Sequence, residues 1–556
     1  MNTDDALPKL NGESPSPMGS PTISDEGTTM ATTAPPVMRS TIKSVILVLS
    51  CSFAFLINTA NNTIMSISLS TIGRELHIQE VQLQWLVSAY PLSAGCLLLI
   101  FGRLADLHGK KKTFLLGAFT LAAFTLGCGF ANDPVTLDIL RGFQGVGASA
   151  ILPSSLGILA EAFPPSRARS IAFSVFAAGA PVGAAFGLAV GGVLTQMTKY
   201  TWRATFFMQA GLTAFCFIGG LMSIDPDKPS TEVDRRTDWL GAALVTVGLV
   251  LIVFVLGQGE VAPQQWATPY IIALLIVGVF LIVVFVFWQR YLEKVQNTPN
   301  APYSLWTPPP LMKISVWGRA RGRFAVMLIV AFLTWCSFFA WNLWVQLYYQ
   351  NLLGYSALAA VLRLLPLNIC GTICTVVVAL LVGRISAIYL IVAGTLGSAV
   401  GALLFAVIKP EVTYWAYAFP SITITVVGVD LIFAAGSLFI AKISLPHEQG
   451  VAGALFQTMT QLGTAVGVAV STVVFNRVSL RQPQRIPTLK SYQAAQWSAF
   501  AFGVLATILA LVFFRGVGIV GQEKRGFVED GDRNRLSEST GEIEGMVPRS
   551  SKTETV

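Results

Sequence analysis

The sequence predicts an all-α polytopic membrane protein with fourteen transmembrane helices and polar tails, and three observations carry that expectation. Hydrophobic residues make up 53% of the chain and charged residues only 12%, against about 25% charged in an ordinary soluble domain. Mean hydropathy is +0.64. Fourteen apolar stretches each reach the roughly 20 residues needed to cross a hydrocarbon core.

These spans fall at 44–67, 83–106, 112–131, 135–160, 168–194, 203–223, 238–257, 268–288, 324–349, 357–381, 387–408, 416–441, 449–475 and 495–515. Glycine and proline inside them are tolerated because neighbouring helices re-satisfy the backbone. An even count puts both termini on one side. Lysine and arginine gather in alternate loops, at Lys110 to Lys112, Arg167, Arg169, Arg235, Arg236, Arg290, Lys294, Lys313, Arg319, Arg321 and Arg323. Those loops and both termini are therefore expected in the cytosol. Arg477, Arg481, Arg485 and Lys490 break the trend. The net charge of +8 is explained by topology and anionic lipid, so no nucleic-acid partner is expected.

Residues 1–40 are rich in Ser, Thr and Pro, and 517–556 are charged and polar, so both read as disordered tails. The first span begins too far in for a cleaved signal peptide. All seven cysteines fall inside spans and the three histidines are scattered. No disulfide framework, metal site or cofactor is expected.

The chain repeats itself. Asn61 in span 1 maps onto Asn342 in span 9, and Gly102-Arg103 onto Gly383-Arg384, at an offset of 281 residues. Phe176, Gly183 and Gly187 find Phe456, Gly463 and Gly467 at an offset of 280. The organisation is then a six-helix bundle at 41–225, two extra spans and a linker at 226–323, and a second six-helix bundle at 324–516.

Between spans 2 and 3 lies Gly102-Arg103-Leu104-Ala105-Asp106-Leu107-His108-Gly109-Lys110-Lys111-Lys112. A tight link between membrane helices has little reason to carry an acid, two glycines and three lysines, beyond anchoring to headgroups. The pattern resembles the loop between helices 2 and 3 of the major facilitator superfamily of secondary transporters, with Leu107 where a second basic residue is usual. The resemblance implies a conformational latch of Gly102, Asp106, Gly109, Lys110, Lys111 and Lys112, in which the acid caps a neighbouring helix end. The 6+2+6 arrangement is similar to that of the fourteen-span drug:proton antiporter branch.

In span 4, Leu137-Asp138-Ile139-Leu140-Arg141-Gly142-Phe143-Gln144-Gly145-Val146-Gly147 resembles the family's Arg-x-x-Gln-Gly-x-Gly motif. An arginine in an apolar helix costs about 2.5–3.5 kcal/mol on insertion scales. Two roles are open for Arg141: proton coupling, as the resemblance implies, or snorkelling to the near interface. Span 5 carries Gly179, Pro181, Gly183, Gly187, Gly191 and Gly192, a one-face glycine stripe that lets another helix approach closely. It resembles the family's antiporter signature, with Leu188 where proline is usual. The resemblance implies that the stripe forms the interface between halves.

Asp430 sits near the middle of span 12 with no other charge within ten residues. A carboxyl there either loads and releases a proton as access switches sides, or stays neutral and hydrogen-bonded between helices. Span 1 carries Asn58, Asn61 and Asn62; Asn61 replaces the acid that fourteen-span antiporters often have. The segment Asn58-Thr59-Ala60-Asn61-Asn62-Thr63 is similar to a fungal subgroup related to aminotriazole-resistance pumps. Polar and aromatic positions complete an expected substrate cavity: Asn58, Asn61, Asn62, Gln144, Trp341, Asn342, Trp344, Gln346, Gln457 and Gln461. Tyr348 and Tyr349 read as interface-belt residues.

No nucleophile–base constellation appears, and Gly109-Lys110-Lys111-Lys112-Thr113 lacks the upstream glycine of a phosphate loop. The expectation is not an enzyme but a multi-pass protein of the plasma or vacuolar membrane. It is expected to act as a monomer on a small-molecule substrate and protons. Three functions compete: proton-coupled efflux of amphipathic xenobiotics or secondary metabolites, uptake or exchange of a nutrient or ion, and a non-transporting receptor of the same fold.

Overall fold

The computed structural model describes residues 41–515, apart from 80–81, 164–166, 228–233, 260–261, 299–303, 305, 382–384, 445–448 and 483–486. Both expected tails, and Gly383-Arg384 of the internal repeat, lie outside the described residues. Fourteen helices are long and apolar enough to cross a membrane, and no strand occurs among the described residues. They are α1 Thr41–Glu75, α2 Leu83–His108, α3 Lys110–Phe130, α4 Pro134–Ala162, α5 Arg167–Met197, α6 Trp202–Ser223 and α7 Trp239–Gln258. The series continues with α8 Pro269–Gln296, α9 Arg323–Leu347, α10 Ala357–Leu381, α11 Ala387–Ala406, α12 Ala418–Ile443, α13 Gln449–Leu480 and α14 Leu489–Phe513.

Several boundaries differ from the sequence expectation, among them the ends of α8 and α13, and two of the differences have polar reasons. α1 runs on from 67 to Glu75 because its serines find partners inside the bundle. Ser66 donates to the Asn62 carbonyl at 3.1 Å, and Ser68 pairs with Thr195 of α5 at 2.9 Å. A satisfied hydroxyl carries little burial cost. α14 starts at Leu489 rather than 495, pinned by fully buried Ser491, whose hydroxyl lies 2.8 Å from that of Ser479 in α13.

The internal repeat is a structural one. In the first group, α1–α6, α5 crosses α1 through glycines: a Cβ at Gly179 would lie 2.6 Å from the Ser52 carbonyl, and one at Gly187 2.8 Å from that of Ala60. In the second group, α9–α14, α13 crosses α9 through Gly463 and Gly467, which rest on the carbonyls of Phe332 and Cys336. Such contacts admit no side chain, so each crossing is fixed by backbone proximity.

The groups meet along three pairings with the same pseudo-two-fold logic. α2 packs on α13, where a Cβ at Gly95 would stand 2.9 Å from Gln461 Cβ. Its repeat counterpart is α10 on α5, where Gly192 faces Val361. On the axis, Ser70 of α1 donates to Gln350 Oε1 at 2.7 Å, and Gln350 Nε2 donates to the Ile67 carbonyl at 3.2 Å. Ser70 and Gln350 are 280 residues apart, so one polar pair ties the two groups together.

The apolar cores are distributed unevenly across the membrane. On the Ser70–Gln350 face one core draws on both groups, from Met65, Leu86, Leu188 and Phe206 to Trp341, Leu364, Phe405 and Phe475. On the face of the basic loops the cores are separate: one belongs to α1–α6, and another to α9–α14 with α7, α8 and the linker. Only the α2 stretch Leu97, Leu99, Ile100, Phe101 and Leu104 reaches from the first group into the latter.

The extra helices α7 and α8 pack through Gly248 and Gly278 and lie beside the α2–α13 seam, where Val253 joins Leu92, Cys96, Leu462 and Ala465. Asp238, 1% exposed, locks their base. It accepts from Gly241 N (2.8 Å), Trp288 Nε1 (2.9 Å) and Gln289 Nε2 (2.6 Å). Gln289 Oε1 in turn accepts from Met312 N of the linker at 3.3 Å. Nearby, Arg103 at the end of α2 donates to the Asp234 carbonyl at 2.7 Å, while Arg236 binds the Asp234 carboxylate and the Ser304 carbonyl.

Candidate functional site

The loop between α2 and α3 is built around a turn that only glycine suits. Gly109 has φ +114°, and a Cβ there would run into the Asp227 carboxyl. That carboxyl caps α3, accepting from Lys111 N at 2.7 Å and Lys112 N at 3.1 Å, where an anion also gains from the helix dipole. Lys111 Nζ donates to the Leu221 and Ile224 carbonyls at the end of α6 (3.1 and 2.6 Å). Lys110 Nζ lies 2.6 Å from Glu161 and 3.8 Å from Asp106. A Cβ at Gly102 would lie 3.8 Å from Pro153 Cβ of α4. Lys110 and Lys111 are thus engaged with protein groups on α4 and α6. Asp227 escaped the sequence reading because it lies 116 residues from Lys111, outside any local pattern.

Arg141 does not snorkel; it is fully buried. Its planar guanidinium takes three neutral acceptors in different directions: the Leu86 carbonyl (Nε, 3.0 Å), Asn61 Oδ1 (Nη1, 2.8 Å) and Gln144 Oε1 (Nη1, 3.1 Å). It also lies 5.1 Å from the Tyr90 ring centroid. The network spreads further. Tyr90 donates to Asn58 Oδ1 at 2.5 Å, Gln144 donates to Thr125 at 2.8 Å, and α1, α2, α3 and α4 are thereby joined by one polar chain. Three buried atoms around it have no hydrogen-bond partner among the described residues: Arg141 Nη2, Asn61 Nδ2 and Asp138 Oδ1. Asp138, one turn before Arg141, was printed inside the span 4 motif but not singled out; its signal was the three-residue spacing to the arginine.

Asp430 projects from α12 toward α10, where a Cβ at Gly371 would stand 3.5 Å from its Oδ2. That oxygen is buried and receives no hydrogen bond among the described residues. No hydrogen bond or ion pair among the described residues joins Asp430 to Arg141. Other buried polar atoms left without a partner near the seam helices are Ser337 Oγ and Gln346 Oε1 on α9, Asn368 Nδ2 on α10, and Thr458 Oγ1 and Gln461 Nε2 on α13. Since nearly all buried polar groups in folded proteins are paired, these atoms have bonding capacity for something that passes between the groups.

The remaining expected cavity residues divide. Asn62 turns back on its own helix, donating to the Asn58 carbonyl at 3.3 Å. Gln346 donates to Asn342 Oδ1 at 3.3 Å, one turn apart on one face of α9. Gln457 is half-buried. Trp341 and Trp344 are 0% and 1% exposed. Trp341 Nε1 donates to Ser421 at 3.0 Å, and Trp344 Nε1 to Ser471 at 2.9 Å with its ring stacked 4.0 Å from Phe475. They lie on the face of α9 turned toward α12, α13 and α14, so their polar edges are already used inside the second group. Tyr348 and Tyr349 are not belt residues, being 2% and 3% exposed; the chain widens there into a π-helical turn at Tyr348–Leu352.

The glycine stripe of α5 also needs correction. Gly179, Gly183, Gly187 and Gly191 face α1 of their own group, and Gly192 alone among them faces α10 of the other. Four-residue spacing keeps four glycines on one helix face; Gly192 lies one position round. Pro181, inside α5, is half-buried.

Two six-helix groups related by an internal repeat, pairing across a seam with buried charge, define a transporter class. The chain belongs to the Major Facilitator Superfamily, whose profile matches residues 51–257 and 231–468. It is 29% identical to the low affinity ammonium transporter of Saccharomyces cerevisiae, covering 78% of this chain and 81% of that protein. It is 26% identical to the aminotriazole resistance protein of the same yeast (87% and 86% covered). It is 27% identical to the efflux pump terJ of Aspergillus terreus (78% and 80% covered). Among solved structures, an auto-inhibited POT family peptide transporter matches the fold with a TM-score of 0.60 at 16% identity, covering 87% of this chain and 99% of that one.

Proposed function

We propose that this major facilitator exports small amphipathic compounds, xenobiotics or secondary metabolites, across the plasma membrane in exchange for protons, as a monomer. The observation that carries the reading is Asp430: a carboxyl in the middle of a membrane helix with a buried oxygen that has no hydrogen-bond partner among the described residues. Such a group is free to take and give a proton as access changes sides. Arg141, held by neutral acceptors, supplies a fixed positive field in the opposite group.

In this reading the basic loops and both termini face the cytosol. The shared core and the Ser70–Gln350 contact then seal the outer face, and the separate cores on the cytosolic side allow the groups to part there. Alternating access is rocking about the seam. Asp430 loads a proton from outside and releases it inside, linked to outward passage of substrate. Relatives named for aminotriazole resistance and for efflux support export. A second reading, movement of a small cation, is favoured by the relative named as an ammonium transporter.

Accumulation of a panel of amphipathic compounds, and of methylammonium, in cells lacking their own pumps separates the two. Export predicts lower accumulation of at least one amphipathic compound, abolished by a protonophore and by Asp430→Asn at equal surface level. Methylammonium uptake with no effect on the panel would establish the second reading. Full gradient-driven export by Asp430→Asn would remove the proton role from this residue.

A further inference from the structure

The face opposite the basic loops holds a cavity outside the seam. The π-helical turn Tyr348–Leu352 that ends α9 turns its two tyrosines into a space of about 110 Å³, lined also by Tyr355, Arg363, Lys409 and Tyr414. The Arg363 guanidinium sits 4.0 Å from the Tyr355 ring centroid and 5.9 Å from that of Tyr349. The two rings are stacked, 16° from parallel. Arg363 makes one long hydrogen bond, Nη1 to the Ala359 carbonyl at 3.5 Å, and no ion pair among the described residues. Tyr349 is 3% exposed, yet its hydroxyl is buried without a partner. The Tyr414 hydroxyl donates to the Arg363 carbonyl at 2.6 Å and holds the opposite wall.

The charge of this cavity has one sign. Arg363 and Lys409 line it and no carboxylate does; Glu411, in the same loop, is exposed and outside the lining. Guanidinium, ammonium and an unused phenol hydroxyl are all donors, the set that recognises an oxyanion. Size narrows the ligand further. One water needs roughly 10–15 Å³, and sites for drug-sized molecules begin near 300 Å³. The space therefore suits a head group rather than a whole transported drug. Its position matters as well: Gln350, the next residue of the same turn, is the one that binds Ser70 and Ile67 across the seam.

We propose that this cavity binds a small oxyanion, a carboxylate or phosphate group, free or carried by a lipid, and that occupancy braces the turn that holds Gln350 in the seam. The test uses the full chain in phosphatidylcholine nanodiscs, titrated calorimetrically with sodium benzoate and with inorganic phosphate. A parallel arm reconstitutes the protein in phosphatidylglycerol-containing discs and counts retained anionic lipid by native mass spectrometry.

Arg363→Gln is expected to weaken binding about tenfold or more, and Tyr349→Phe, which keeps the ring and the packing, to weaken it less. Saturable binding in the first arm identifies a free anion as the source. Retention of anionic lipid that Arg363→Gln loses, with no binding of free anion, identifies a lipid. Absence of binding in both arms, or binding unchanged in both variants while each melts as the parent does, overturns the proposal.

Discussion

The two six-helix groups share a scaffold and treat Arg141 and Asp430 in opposite ways. The first encloses a cation and surrounds it: Arg141 is gripped by Leu86, Asn61 and Gln144, and the grip extends to Tyr90, Asn58 and Thr125. The second carries an acid and leaves it loose, since Asp430 Oδ2 has no donor among the described residues. Held charge organises structure, whereas untethered charge is available to titrate. The difference separates a positioning role from a carrier role on one repeated fold.

The scaffold is where the groups should behave alike, and where effects are largest. Gly183→Leu and Gly463→Leu each force a side chain into a helix carbonyl, of Leu56 and Phe332 respectively. Overpacking typically costs about 1–3 kcal/mol and more where backbone is the obstacle. Both variants are expected to lose most folded protein, read by fluorescence-detected size exclusion. If only one collapses, the crossings are not equivalent.

The charges are where the groups should diverge. Arg141→Lys replaces a planar fork by a point donor that cannot reach three acceptors at once, leaving at least one buried acceptor unpaired at about 1–3 kcal/mol. Its melting temperature should fall clearly. Asp430→Asn is nearly isosteric and breaks no hydrogen bond to Oδ2, so its melting temperature should stay near the parent's while gradient-driven transport is lost. An equal fall in both variants would make Asp430 a structural acid and erase the contrast.

The smallest effect lies at the linker. Hydrogen bonding from the Arg236 side chain holds the Asp234 carboxyl below its ordinary range. A depressed acid stabilises the folded state above its unfolded value and loses that contribution as pH falls through the folded one. Asp234 is half-buried, with 21% of its side chain exposed, so solvent screening limits the gain. Amide protection factors at 234–238, corrected for the intrinsic exchange rate at each pH, should be unchanged between pH 8 and pH 6 and fall selectively in strong acid; a fall already at pH 6 would assign the clamp to another group.

Much of this was legible in the chain. Span count and the interior arginine follow from apolar length and from a residue type too costly to place at random in a membrane. The facing of α9 was not. That helix is apolar or aromatic nearly all round, so no polar stripe tells Trp341 and Trp344, which point into their own group, from Asn342 and Gln346 on the next face. Asp227 and Gln350 depend on partners 116 and 280 residues away. The expected tails lie outside the described residues.

The tie at 234–238 also bears on how the polypeptide is held together. Arg103 grips the Asp234 carbonyl, Arg236 reaches Ser304, and Asp238 binds Trp288 and Gln289 of α8. The Arg103–Asp234 contact thus runs parallel to the covalent link between the first group and the extra hairpin, while the Arg236 and Asp238 contacts join residues that all follow that link. A chain cut just before Asp234 would then be held together by Arg103 and by Gln84 of α2, which donates to the Gly257 carbonyl at the end of α7 at 2.7 Å.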